Sequence, residues 1–517
     1  MLMRTAFSTI VRESGDLTVL LTDRTGVTVV QTRKGVGSLG PAIGTTVRSV
    51  LHDFPPDSWG PGDVVLTNDP WIAAGHTSDV VTVRPFFWDK RCIGFIAVAS
   101  HVPDIGGRLA PSDARQVYEE GILFPPTHFM RGDVVLPQIA RLLEKNVRVS
   151  DQVMGDIFAQ VSCAKQCEMR LDQLMLEYGL NTLDELFSAI LDRSERAVRK
   201  TISSIQDGCY TAETQTDGLG APLVIRVAIT ISGDRMLVDY AGTSPQVAAG
   251  INSVLNYTRA YSFYTLKCVL DPHGPNNDGS MRPVEISAPP RSLLNAEFPA
   301  AVYARSQSGH YLGSVLMSAL ATAVPDRIIA CCGSPSNRTV FNGRRNDGRA
   351  FSFLMFTSGG FGARSSCDGL SCTPFPSNTG AAPVEVMERE TDLIVLEKSL
   401  EANSGGAGRY RGGLGMRLRI ENPLSESVRL SIRMDRMDNG ADGINGGAKG
   451  GCSDLLLNGR REGILPKGES EMKSGDVITV VTPGGGGYGN DAERELLRLA
   501  EDLDAGYVVK GPNHGAL

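Results

Sequence analysis

The sequence is poor in cysteine and has no CxxC pair. Ten cysteines stand among 517 residues, and the closest couples are Cys163/Cys167, Cys331/Cys332 and Cys367/Cys372. This excludes a zinc ribbon or a thioredoxin-type motif and leaves free thiols in a reducing compartment. No apolar run approaches the ~18 residues that span a bilayer, so no membrane partner is expected. The opening "MLMRTAFSTIVRESGD" lacks the apolar core and cleavage site of a signal peptide, and the expected location is cytoplasmic. Basic residues are the minority, 51 against 58 acidic ones, for a net charge of −7. Without a concentrated basic face, nucleic acid is disfavoured as a partner.

Glycine is abundant, with 58 residues clustered in the second half and no collagen period. Many tight turns and a strand-rich fold follow. "NSGGAGRYRGGLG" (403–415) and "TPGGGGYG" (482–489) could set backbone N–H groups around an anion. Neither is a GxxxxGK[ST] loop, nor a GxGxxG that follows a strand and opens a helix, so turn backbone is the better reading. There is no GxSxG.

The pattern of the chain predicts an α+β protein, rich in strands and turns, with one central helical block. The segments "LTVLLTD" and "VTVVQT" around "RTG" read as a hairpin over 17–34. Residues 63–67, 80–87 and 93–100 are further strands. Met154, Ile157, Val161 and Ala164 fall at helical spacing, and a second helix opens after Asn181–Thr182. Period-two alternation returns from Leu223 to Ile231 and from Met236 to Tyr240. Residues 251–271 and 308–323 read as helical, and "DAERELLRLAEDL" as a closing amphipathic helix. The regions expected are a β-rich 1–136 carrying a metal site, a helical 137–210, an α/β 211–330, a Gly-rich β region 331–490, and a helix and tail, 491–517.

Two HxxD spacings are the chemical signal, His76/Asp79 in "GHTSD" and His101/Asp104 in "SHVPDIGG". A hairpin turning near Asp89–Lys90 puts Asp79 opposite His101 or Ser100, and directly opposed Cβ atoms lie about 4.5–5.5 Å apart. Four potential ligands then converge at one strand end. Side chains three apart on a strand point to opposite faces, so His76 belongs to the preceding loop. Two imidazoles with one or two carboxylates suit Zn, Mn, Fe or Co with an open position. The alternative is that His76 caps a loop and His101 satisfies a buried carboxylate.

The motifs "RTAFSTIVRESGD", "NDP" (68–70), "GHTSD", "SHVPDIGG", "EEGI" (119–122), "NVR" (146–148), "GDIFAQVS" (155–162), "NSGGAGRYRGG" and "TPGGGGYG" run in order along nearly the whole chain. Together they resemble the hydantoinase B/oxoprolinase family. That family comprises subunits of ATP-dependent cyclic amide hydrolases, with acetone and acetophenone carboxylases as relatives. The resemblance implies a divalent metal, Zn, Mn or Fe, held by His76, Asp79 and His101, with Asp16 of "RESGD" completing the site. It places Asp104 behind His101 as an orienting group. Asp104 or Glu120 is the expected general base. It also implies a hetero-oligomer in which ATP and Mg are held by a hydantoinase A-type subunit, which phosphorylates the small-molecule substrate. A ketone carboxylase subunit and a non-catalytic scaffold are the other readings. Family members begin about one helix ahead of "LMRTAFS", so Leu2, Ala6, Phe7 and Ile10 are expected to be left exposed here.

Overall fold

The structure is a computed structural model and describes residues 2–109 and 111–509. Helices and strands are both abundant and several separate sheets form, so the fold is α+β, as expected. Among the described residues no helix is long and apolar enough to cross a membrane. The chain divides into two compact units, each built from separate stretches. The first holds Met1–Tyr210, Val227–Gly309 and Ser377–Ala382, and the second holds Thr211–Arg226, His310–Pro376 and Pro383–Leu517. Regions 1–136 and 137–210 thus lie in the same unit.

The first unit opens with two single helical turns, α1 (Leu2–Thr5) and α2 (Thr9–Arg12). They lie on the helix that carries Asp156, whose carboxylate accepts from the N–H groups of Phe7 (2.8 Å) and Ser8 (3.1 Å). Leu2, Ala6 and Ile10 are buried by this arrangement, contrary to expectation, and only Phe7 of the four is exposed. Next come β1 (Leu17–Asp23), β2 (Thr28–Gln31), α3 (Leu39–Asp53), β3 (Val64–Thr67), β4 (Asp79–Trp88), β5 (Arg91–His101), β6 (Thr127–Arg131) and β7 (Val134–Val135). The strands make one seven-stranded sheet in the order β2-β1-β5-β4-β3-β6-β7, antiparallel throughout.

Three helices follow, α4 (Pro137–Asn146), α5 (Ser150–Glu177) and α6 (Asp184–Ile202). The chain leaves the unit within β8 (Gly208–Thr216) and re-enters within β9 (Leu223–Ser232). Then come β10 (Arg235–Asp239), α7 (Leu255–Leu270), α8 (Asp278–Met281), β11 (Val284–Ser287) and α9 (Ser306–Gly309), with β10 and β11 parallel.

The seven-stranded sheet is covered on both faces. Phe95, Ala97 and Ala99 of β5 pack with Ile43, Val47 and Val50 of α3. Ile96 and Val98, one residue out of phase, pack with Ala159, Cys163 and Phe187 of α5 and α6. This alternation of faces explains the long apolar runs of the central strands. It also assigns Asp79 and His101 to the α3 face, because they share the parity of Val81 and Ala99. Helix α3 has no counterpart in the sequence reading, since Gly40, Pro41 and Gly44 lower its propensity. Burial of its apolar stripe outweighs that.

In the second unit are α10 (Tyr311–Ala319), β12 (Asn337–Arg344), β13 (Ala350–Thr357), α11 (Val384–Thr391), β14 (Ile394–Leu400), β15 (Met416–Glu421), β16 (Val428–Arg433), β17 (Asp454–Leu457), β18 (Lys467–Met472), β19 (Val477–Val481) and α12 (Leu496–Asp504). Two four-stranded sheets form, ordered β13-β12-β16-β18 and β14-β15-β19-β17. The glycine-rich segments interlock beside them. The N–H groups of Gly484, Gly485, Gly486, Gly487 and Tyr488 donate to the carbonyls of Gly451, Gly413, Cys331, Ala448 and Tyr410. These donors are spent on backbone, so "TPGGGGYG" is packing rather than an anion cradle. A Cβ on Gly485 would stand 2.2 Å from the Phe361 carbonyl oxygen, which explains why glycine is needed there.

Candidate metal centre

The hairpin β4–β5 sets the geometry. Asp89 and Lys90 both take the left-handed conformation (φ 45° and 65°) of a tight two-residue turn. A bulge between Phe86 and Phe87 then shifts the register by one residue and pairs Asp79 with His101. His76 sits on the loop before β4, as its spacing requires. Gly75 ahead of it has φ +93°, and a Cβ there would meet Arg305 Cδ at 2.7 Å.

The three side chains are fully buried and converge. His76 Nε2 lies 2.9 Å and His101 Nδ1 3.1 Å from the same Asp79 oxygen, Oδ1. The two imidazole centroids are 4.9 Å apart. Among the described residues this is the one group of three or more His, Cys, Asp or Glu side chains with ligand atoms close enough to share an ion, within 4.8 Å of one another.

His76 Nδ1 is 3.2 Å from the Tyr303 carbonyl oxygen, which can only accept, so Nδ1 carries the hydrogen. Nε2 then carries a lone pair. Burial, with the Arg305 charge added, pushes the imidazole well below its ordinary pKa and keeps it neutral. Nε2 has no hydrogen-bond partner despite its proximity to Asp79, because the alignment is wrong. A lone pair facing a carboxylate oxygen at 2.9 Å is repulsive unless a cation lies between them. Burial alone would raise the Asp79 carboxyl. The Arg305 guanidinium and the hydrogen bond with His101 outweigh it and hold the group well below the usual carboxylate range. A neutral imidazole, a second imidazole and one carboxylate, all buried, therefore fit a divalent cation.

Arg305, Tyr303, Asn68 and Gln160 build the surroundings. Arg305 Nη2 donates to Asp79 Oδ2 at 2.7 Å, and its Nε donates to the Ala74 carbonyl, also at 2.7 Å. Its guanidinium lies 4.4 Å over the Tyr257 ring. Asn68 donates to the carbonyls of Thr77 and Ile122 and accepts from Phe124 N–H, which pins the loop behind His76. On the opposite face Gln160 of α5 donates to the Val80 carbonyl and Ser100 Oγ, clamping the two strands next to the ligands. Arg305 and Tyr303 were not found from sequence; they stand more than two hundred residues away in no recognisable motif.

The other expected residues fall as follows. Asp16 is buried one strand over, and its carbonyl accepts from His101 N–H at 3.2 Å. Asp104 makes no hydrogen bond to His101. Its carboxylate is taken by the Arg148 N–H and guanidinium instead. Glu120 is fully buried, and its Oε1 accepts from the N–H groups of Val302 (2.6 Å) and Tyr303 (2.8 Å). Burial pushes its carboxyl up to about 8, so it holds a proton at neutral pH.

Comparison with known proteins bears on the family and the fold. The sequence profile of the hydantoinase B/oxoprolinase family matches residues 1–491. A protein from Pseudomonas sp. (strain NS671), provisionally named as the B-type subunit of a D-/L-hydantoinase, is 31% identical over 98% of this chain and 90% of its own length. The crystal structure of an ATP-dependent caprolactamase from Pseudomonas jessenii superposes with a TM-score of 0.89 at 24% identity, over 98% of this chain and 91% of that one. A nucleotide-free acetone carboxylase structure gives a TM-score of 0.86 at 18% identity, over 98% of this chain and 76% of that one. The chain belongs to the hydantoinase B/oxoprolinase family.

Proposed function

We propose that the chain is the metal-bearing subunit of an ATP-dependent hydrolase of cyclic amides, of hydantoin or 5-oxoproline type. A separate A-type subunit holds ATP with Mg and phosphorylates the substrate's carbonyl oxygen. The observation that carries the reading is the buried His76 lone pair facing Asp79, a geometry that calls for a cation. The relatives support the rest: one is named as a B-type hydantoinase subunit, and one is an ATP-dependent caprolactamase.

Amides are poor electrophiles, and phosphorylation of the oxygen creates a leaving group. His76, Asp79 and His101 would hold the ion, with Asp16 offered as a fourth ligand. A divalent ion bound there supplies Lewis acidity and lowers the pKa of water. Tyr303 fixes the tautomer and rotation of His76, and Arg305 keeps Asp79 anionic. Asp104 and Glu120 act as positioning residues. Asp104 holds the chain after β5 to Arg148. Glu120 holds the Val302–Tyr303 backbone that orients His76.

The test is co-expression with the A-type subunit and an ATPase screen. Lactams, hydantoins, 5-oxoproline, and ketones with bicarbonate are compared. ADP release coupled to ring opening of one cyclic amide class is expected. His76→Ala should abolish ring opening and leave the purified complex without stoichiometric metal. Turnover confined to ketone plus bicarbonate would make the chain part of a carboxylase. No substrate-stimulated ADP release at all would refute both.

A further inference from the structure

The second unit contains a buried row of cations, one of which lacks a counter-charge. In the sheet β13-β12-β16-β18, Arg338 of β12 stands opposite Arg433 of β16, which stands opposite Lys467 of β18. Directly opposed residues of antiparallel strands project to the same face, so the three side chains form one row. All three are buried, Arg433 completely. Phe356 of β13 ends the row, with the Arg338 guanidinium 5.0 Å over its ring.

Lys467 has its own counter-charge, Asp435, at 3.1 Å. Asp435 is itself committed to the N–H of Asp217, the Tyr311 hydroxyl and the N–H of Arg436. Arg338 is different. It is 5% exposed, makes no ion pair or hydrogen bond with any described residue, and leaves its Nε buried and unsatisfied. A ring face is a weak substitute for an anion. A buried guanidinium without a carboxylate is costly, and like charges directly opposite raise that cost. Arg also presents a planar fork suited to oxyanions.

The geometry points to an oxyanion site on this row: Arg338, set opposite Arg433, binds the phosphoryl or carboxylate group of a small molecule. The site stands on the second unit alone and does not depend on the metal-site reading.

The test is thermal unfolding of the full chain at constant ionic strength in chloride, acetate or inorganic phosphate, each with and without a chelator. A site saturated about a hundredfold over its Kd raises the melting temperature by roughly 3–6 °C. That shift is expected in phosphate or acetate over chloride, with the chelator making no difference. A shift in phosphate alone assigns a phosphoryl ligand, and one in acetate assigns a carboxylate. Arg338→Met should lose the shift, yet melt no lower than the parent in chloride, because it removes an unpaired charge. Arg338→Lys, which keeps the charge without the fork, should retain only part of the shift. Equal melting of the parent chain in all three salts overturns the proposal. So does a shift that the chelator abolishes, or one that Arg338→Met keeps in full.

Discussion

Glu120→Gln turns the buried carboxyl into a measurable pH slope. In the folded chain this group releases its proton at about 8, against 4.5 for the unfolded one. Below 4.5 both states are protonated, and above about 8 both are ionised. Between these limits the native state binds more protons than the unfolded state, so stability falls as pH rises. The slope is about 1.4 kcal/mol per pH unit, and the whole window is worth roughly 5 kcal/mol, as an order of magnitude. Glutamine does not titrate. Its amide oxygen can still accept from Val302 and Tyr303, but its NH2 replaces Oε2, which has no partner. The amide leaves one more unsatisfied N–H than the protonated carboxyl does, at a cost of about 1–3 kcal/mol at every pH.

The variant should therefore be the less stable protein at pH 5 and the more stable one at pH 8, with a crossing between about pH 5.2 and 6.7. Urea unfolding followed by tryptophan fluorescence reads the difference, because Trp59, Trp71 and Trp88 all lie in the first unit. Parallel stabilities of parent and variant across pH 5–8 would refute the protonated Glu120 and its place under Tyr303.

Three other outcomes follow from the same contacts. His76→Ala should lower metal occupancy about 100-fold or more by elemental analysis, whereas Asp104→Asn should leave occupancy intact and cost about 1–3 kcal/mol of stability. Equal metal loss in both would put Asp104 back among the metal-site residues. Arg305→Met removes the guanidinium that keeps Asp79 ionised, and metal affinity measured by competition with a chelator should fall about 10–100-fold. Gly485→Ala forces a Cβ against the Phe361 carbonyl and should destabilise the second unit by more than about 3 kcal/mol, seen as rapid proteolysis within residues 383–509.

Local rules carried the hairpin far. Apolar runs rich in Val, Ile and Phe on both sides of Asp89–Lys90 point to two strands, and a two-residue turn fixes their register to within one place. The bulge at Phe86/Phe87 chose between the two registers, and no sequence rule announces it. Helix α3 was invisible for a related reason. Its propensity is poor, and only the sheet face above it makes the Ile43–Val47–Val50 stripe decisive.

His76, Asp79 and His101 were legible because they lie within one hairpin and its entry loop, where spacing and pleat parity determine who meets whom. The same parity kept His76 off the strand. What completes the centre was not legible. Arg305 and Tyr303 arrive from a segment more than two hundred residues away, and only the folded chain decides that a guanidinium, and not water, faces Asp79. Asp104 shows the converse: an equally good HxxD partner by spacing was taken by Arg148, more than forty residues further along the chain. Sequence by itself determined which residue types meet at the strand end. Tertiary structure decided their charge states and partners, because desolvation and long-range ion pairing exist only once the chain is packed.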